Sequence, residues 1–290
     1  MLFPMVFERR DAYTRDLEMF FLGNKGYRVI AHDRRGHGRS SQPWVGKGRD
    51  LIALLCCLAL PLRYCAIHLG TFLTIIANQL LQDGNDMDTW TDDLLTLFEH
   101  LDLKDAMLVG HSTGGGEVTR FLGRHGSSRV SKAVLVGANP PCMLVKEDNP
   151  EGRNISWFDD LRAAVVANRA QTFLDIPTGP FFGYNLEGAT PSQGLIQSWY
   201  QQAMLCSIKS CYDTIKTWQV DYTEDLKKID IPVLVIHGEL DQIVPIKAAA
   251  PLTVKALKKG TLKIYPGGAH ALPNTQADDI NADLLNFLES

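Results

Sequence analysis

Short apolar, β-branched runs alternate along this chain with longer amphipathic stretches. The runs YRVIAH (27–32), AMLVG (106–110), SKAVLVGA (131–138), PVLVIHG (232–238) and TLKIYPGGAH (261–270) are strand candidates, each closing on turn residues. Runs apolar at successive positions fit strands covered on both faces. Between them, DMDTWTDDLLTLFEHL (86–101) sets Trp90, Leu94, Leu97 and Leu101 at helical spacing, behind an aspartate suited to capping the N-terminus. GEVTRFLGRHG, after AMLVG, reads as a second helix. Such alternation predicts an α/β fold, a mostly parallel sheet flanked by helices. The roughly 85 residues between GANPP and KKIDIP are mostly helical and bear aromatics, which predicts a lid over the sheet's carboxyl edge. The expected division is a core of 1–44, 83–140 and 228–290, and a helical lid of 141–227.

One segment breaks the pattern. Residues 45–82 contain LIALLCCLALPL and TFLTIIANQLL, Leu- and Cys-rich and without clean helical amphipathicity. Residues 64–81 carry no Asp, Glu, Lys or Arg and just reach spanning length. His68, Asn78 and Gln79 lie inside that stretch, however, and Pro61 and Arg63 interrupt a longer run. A span there would also put the two flanks of one sheet on opposite sides of a bilayer, so a membrane is not the expected partner.

Composition narrows the picture further. The 290 residues are 45% hydrophobic and 21% charged, with a formal net charge of −4. This is a globular balance with no basic field for nucleic acid. Six cysteines without a CxxC pair fit reduced thiols in a cytosolic protein. The start, MLFPMVFERR, makes a poor secretory signal, so a cytoplasmic location is expected.

The chemistry concentrates in VGHSTGGGE. Gly110-His111-Ser112-Thr113-Gly114 is a G-x-S-x-G between an apolar strand and a helix, the arrangement of a nucleophile elbow. Ser112 would stand at the helix N-terminus, where the Thr113 N–H can hold an oxyanion. A dinucleotide fingerprint fails, because Thr119 stands where its third glycine should be. A serine needs a base of fixed tautomer, and this architecture orders the partners serine, acid, histidine. His270, in GGAH after the last strand, is the candidate base; His237, at a strand end, reads as structural. Asp241 in HGELDQIVP is the candidate acid, with Glu239 as competitor. Asp241 is preferred because DQIVP turns the chain directly into the next element. Cys65 and His68 could share a helix face but lack a partner pair, so no metal and no cofactor is expected.

YRVIAHDRRGHGRSSQPW, NDMDTW, GHSTGGGE, RHG, GPFFGYN, EDLKKIDIPVLVIHGELDQIVP and GGAH together resemble the cofactor-free haloperoxidase and arylesterase family of α/β-hydrolases, over residues 11–44 and 83–290. The resemblance implies a serine esterase working through an acyl-enzyme, with Ser112 as nucleophile, Asp241 as acid, His270 as base and Thr113 as one oxyanion donor. It also implies perhydrolysis, in which hydrogen peroxide intercepts an acyl-enzyme made from a short carboxylic acid and the peracid formed oxidises halide. Phe181 and Phe182 in GPFFGYN read equally as pocket wall or as lid core; His111 and Ile243 are further pocket candidates. A homo-oligomer is compatible with the sequence.

Two departures from the family matter. Its members carry a strand and a His-Gly-Trp-like loop before the residues matching DAYTRDLEMFF, and the loop supplies the second oxyanion N–H. Here only MLFPMVFERR precedes them. The N-terminal strands are therefore expected to be missing, with MLFPMVF the one available substitute. In relatives, moreover, SSQPW runs almost directly into GNDMD, whereas here Val45 to Gln82 intervene. Translated intron, with a faulty start upstream, is the favoured explanation; an added helical hairpin is another. The competing functional expectation is a catalytically impaired or inactive relative that lacks the oxyanion loop.

Overall fold

The computed structural model describes residues 5–8, 17–42 and 84–290; the insertion at 45–82 lies outside them. The chain runs β1 (Met5–Glu8), α1 (Leu17–Asn24), β2 (Arg28–Ala31), α2 (Met87–His100), β3 (Ala106–His111), α3 (Thr113–His125) and β4 (Val130–Val136). It continues through α4 (Ile155–Thr178), α5 (Gln193–Met204), α6 (Ile208–Thr217) and α7 (Thr223–Lys228). β5 (Val233–Gly238), α8 (Ala250–Ala256), β6 (Gly260–Tyr265), α9 (Leu272–Thr275) and α10 (Ala277–Glu289) complete it.

The strands form one sheet in the order β2-β1-β3-β4-β5-β6. From β3 to β6 every pairing is parallel. All six residues of β3 and of β5 are buried, as expected of strands with helices on both faces. The side-chain alternation of each strand divides the core in two. Leu108, Leu135 and Val235 join Leu94, Phe98 and Phe121 of α2 and α3 on one face. Met107, Val109, Val134 and Ile236 join Leu22, Ile280 and Leu284 of α1 and α10 on the other. Asp86 caps α2, its Oδ1 accepting from the Thr89 N–H at 2.8 Å. The fully buried stripe of α2 is Trp90, Leu94 and Phe98, with Leu97 and Leu101 partly buried beside it.

The slot between β2 and β3 is filled by Met5–Glu8, within the substitute that MLFPMVF offers. Without it both neighbours would leave a row of backbone groups unpaired, and a short extended segment satisfies them. Yet β1 runs antiparallel to both neighbours. Met5 pairs with Val109 and Ala31, whereas Glu8 pairs with Arg28. β1 therefore ends at the rim away from Ser112. A parallel strand would deliver the following loop to the rim beside it.

Candidate active site

Ser112 sits between β3 and α3 with φ 55° and ψ −123°. That left-handed backbone is costly for a side-chain-bearing residue and marks a functional turn. The turn is tight: a Cβ on Gly110 would lie 2.4 Å from the Gly114 carbonyl oxygen, so glycine is required there. Thr113 is the first residue of α3, and its N–H has no carbonyl partner four residues back within the helix. It is available to an oxygen at the helix's positive end.

The loops after β5 and β6 bring the acid and the histidine together. Asp241 Oδ2 lies 2.7 Å from His270 Nδ1. Its other oxygen accepts the Ile243 and Val244 N–H groups at 2.9 and 2.8 Å. His237 Nε2 lies 3.3 Å from Oδ2 and 2.9 Å from the Val244 carbonyl, so this histidine braces the acid loop. Burial alone would raise the Asp241 pKa; the charge of His270 and the hydrogen bonds from His237 and His270 outweigh it, so the group is held ionised, well below the usual carboxylate range. An ionised Asp241 fixes Nδ1 as the protonated nitrogen and leaves Nε2 as the acceptor. Glu239 is exposed and holds the Gly267 N–H at 3.1 Å, outside this network.

His111, beside the serine, pins the base from another side. Its Nε2 is 2.8 Å from the His270 carbonyl oxygen, and the two rings lie 4.7 Å apart. Only the Nε2–H tautomer can donate to a carbonyl. Burial, reinforced by the charge of His270, lowers the His111 pKa to about 3, so the ring stays neutral.

Ser112, Thr113, His111 and His270 line one cavity of about 220 Å³ beneath the helices of 155–217. Ser112 and His270 form no hydrogen bond to one another among the described residues; such contacts commonly close on bound substrate. Trp157, Phe173, Phe181, Trp199 and Trp218 supply an aromatic wall, and Ile243 and Val244 close the acid side. Phe181 packs edge-on to His270 at 5.2 Å and lies 5.2 Å from Trp199. Its carbonyl accepts the Ala271 N–H at 3.0 Å, tying the lid to the residue after the base. Phe182 does not line the cavity. It packs behind Phe181 and stacks on Tyr184 at 5.3 Å, because successive residues of this turn face opposite ways.

Sequence reasoning missed Arg34. This side chain, 4% exposed, reaches the cavity from the loop after β2. Its guanidinium lies 4.6 Å over the Trp90 ring, and its Nε donates to Glu117 of α3. The signal was there: Glu117 is a charge within the apolar stretch that follows the elbow, and a buried charge demands a partner. Among the described residues, no three His, Cys, Asp or Glu side chains converge as a metal site requires, and no helix is long and apolar enough to cross a membrane.

Known proteins are similar to this chain. Residues 18–273 match the family model described as "alpha/beta hydrolase fold". A non-heme chloroperoxidase of Burkholderia pyrrocinia is 48% identical over 278 residues, covering 95% of this chain and 86% of the relative. A bifunctional esterase/perhydrolase of Acinetobacter calcoaceticus is 40% identical, over 95% of this chain and 86% of its own. The crystal structure of a bromoperoxidase from Bacillus anthracis superposes with a TM-score of 0.78 at 27% identity, covering 99% of this chain and 95% of that one. The chain belongs to the α/β-hydrolase family, among its non-haem haloperoxidases and esterases.

Proposed function

We propose that the protein is a serine hydrolase of carboxylic esters that also makes peracids from short carboxylic acids and hydrogen peroxide. The observation that carries this reading is His270, locked by the buried Asp241, lining one apolar cavity with a serine on a left-handed turn. The Ser112 hydroxyl attacks the ester carbonyl as His270 Nε2 takes its proton, and the buried Asp241 carboxylate holds the imidazolium so formed. The Thr113 N–H stabilises the oxyanion. His270 returns the proton to the departing alcohol, leaving an acyl group on Ser112. Water then releases the acid. Hydrogen peroxide attacking the same acyl carbon releases a peracid, which oxidises halide once it has left the cavity.

The apolar, aromatic cavity suits an uncharged acyl or aryl group and strips water from the reacting centre. In this reading residues 141–227 act as the lid of one hydrolase domain. No cofactor takes part, and the protein works in the cytoplasm. The test measures hydrolysis of an activated aryl acetate, and peroxide-dependent bromination of a 1,3-diketone in acetate, for wild type and Ser112→Ala. Wild-type activity in both assays, with a loss of roughly a million-fold in the variant, is expected. Equal rates for the two proteins would remove the serine mechanism.

A further inference from the structure

Two cysteines share the buried cluster behind the cavity, and one of them, Cys211, lines it. Cys206 precedes Ser207, the residue that caps α6, its hydroxyl accepting the Ser210 N–H at 3.1 Å. Cys211 is the fourth residue of that helix. These are the two positions, one before the cap and one a turn inside, whose side chains touch when a helix start is stapled by an apolar contact. Here the staple is made of two thiols. The Cys206 thiol donates to the Ser207 carbonyl at 3.4 Å, and both cysteines belong to one buried cluster. Both cysteines are buried and free, at 3% and 4% exposure. Cys211 nonetheless lines the cavity that holds Ser112 and His270, so a molecule in the cavity can reach its sulfur.

The surroundings divide the two thiols into unlike roles. Arg169 Nη1 lies 3.9 Å from Cys211 Sγ and 2.7 Å from the Cys206 carbonyl. The hydrogen bond from Cys206, with the Arg169 guanidinium beside it, holds the Cys211 thiol below its ordinary range despite burial. Cys206 is pushed up, first by the neighbouring Cys211 sulfur and then by burial. Cys211, beside Arg169 and on the cavity, is placed to meet an oxidant first, and Cys206, at the other staple position, is placed to resolve it.

We infer that Cys206 and Cys211 are a redox-active dithiol that closes to a disulfide when a peracid or hydrogen peroxide enters the active-site cavity. The Cys211 thiolate attacks the terminal peroxide oxygen. The O–O bond breaks, carboxylate (or hydroxide) leaves with the electron pair, and Cys211 becomes a sulfenic acid. The Cys206 sulfur then attacks the Cys211 sulfur. The S–S bond forms, the S–O bond breaks, and hydroxide leaves with the Cys206 proton as water. The protein gives up two electrons and two protons, and the oxidant is reduced to acid or water. That the enzyme makes such an oxidant itself rests on the perhydrolase reading above. The dithiol does not depend on that reading, because added oxidant serves as well.

The sequence makes the test direct. Trypsin cuts after Lys209, between the two cysteines, so Cys206 falls in peptide 170–209 and Cys211 in 210–216. The full-length protein is treated with peracetic acid or hydrogen peroxide in modest excess, its remaining thiols are alkylated, and it is digested and weighed. The expected result is a linked 170–209/210–216 pair, two hydrogens lighter than its parts, which separates on treatment with dithiothreitol. Cys206→Ser and Cys211→Ser each abolish the linked pair, while Cys142→Ser retains it. Cys211 recovered as a free thiol or as an irreversible sulfinic acid in the wild type, with no linked pair, would overturn the inference. Loss of bromination in acetate with the linked pair still formed by added peracid would instead fall on the perhydrolase reading alone.

Discussion

The two halves of the sheet are built to different standards. From β3 to β6 the strands run six or seven residues, all parallel, and the loops at their carboxyl ends carry Ser112, Asp241 and His270. The other flank, β1 and β2, has four-residue strands, and β1 is reversed. The comparison teaches that the reacting groups depend on one flank only, while the other contributes Arg34 and a backbone edge. The reversed strand ends at the rim away from Ser112.

Four experiments bear on that contrast. The largest effect belongs to the strong flank: Asp241→Asn should lower kcat about ten-thousand-fold with the fold intact, because the imidazole loses its orienting charge. Aryl acetate kinetics and circular dichroism read both halves of that statement. Next is the link between the flanks. Glu117→Gln removes one partner of a buried pair whose side chains are 3% and 0% exposed. A loss of about 3–5 kcal/mol in urea unfolding is expected; an unchanged midpoint would mean that the two halves are not held through this contact.

The third experiment repairs the weak flank. Replacing residues 1–8 by a strand designed to run parallel to β3, so that its following loop brings a further N–H donor to the Ser112 rim, should raise kcat about a hundredfold. No gain would show that the oxyanion is held without a donor from this flank.

The smallest effect compares one histidine from each flank. Burial lowers His111 to about 3 and His37 to about 4, from 6.5. Both are neutral when folded, and both take a proton on unfolding below pH 6.5. The unfolded chain then binds more protons, so stability is full above that pH, falls as pH drops, and levels off near the folded values. Between pH 7 and 5.5 each should cost about 1 kcal/mol. His111→Gln or His37→Gln should each remove about 1 kcal/mol of that pH-dependent loss.

The strong flank was legible in the sequence because each of its reacting residues comes shortly after a strand-forming run and sits in turn residues: GHSTG, GELD, GGAH. An apolar run fixes where a strand lies, and the turn fixes where its chemistry emerges. The weak flank was legible only in part. MVFE has too few positions for its side-chain pattern to encode a direction, so its reversal was not readable. Phe182 was indistinguishable from Phe181 by type, since only the local turn decides which ring faces the cavity. The brace from His111 to the base's own carbonyl joins positions 159 apart, a contact that local spacing cannot encode. Cys206 and Cys211 form no CxxC pair, and their placement on either side of a helix start depends on Ser207 acting as the cap of α6.

The left-handed backbone at Ser112 also bears on how this protein answers to selection. Glycine would adopt φ 55° without penalty, so a chain freed from catalytic duty would gain stability by exchanging its serine. That the position holds serine all the same marks this protein as one that keeps a standing conformational debt in return for turnover.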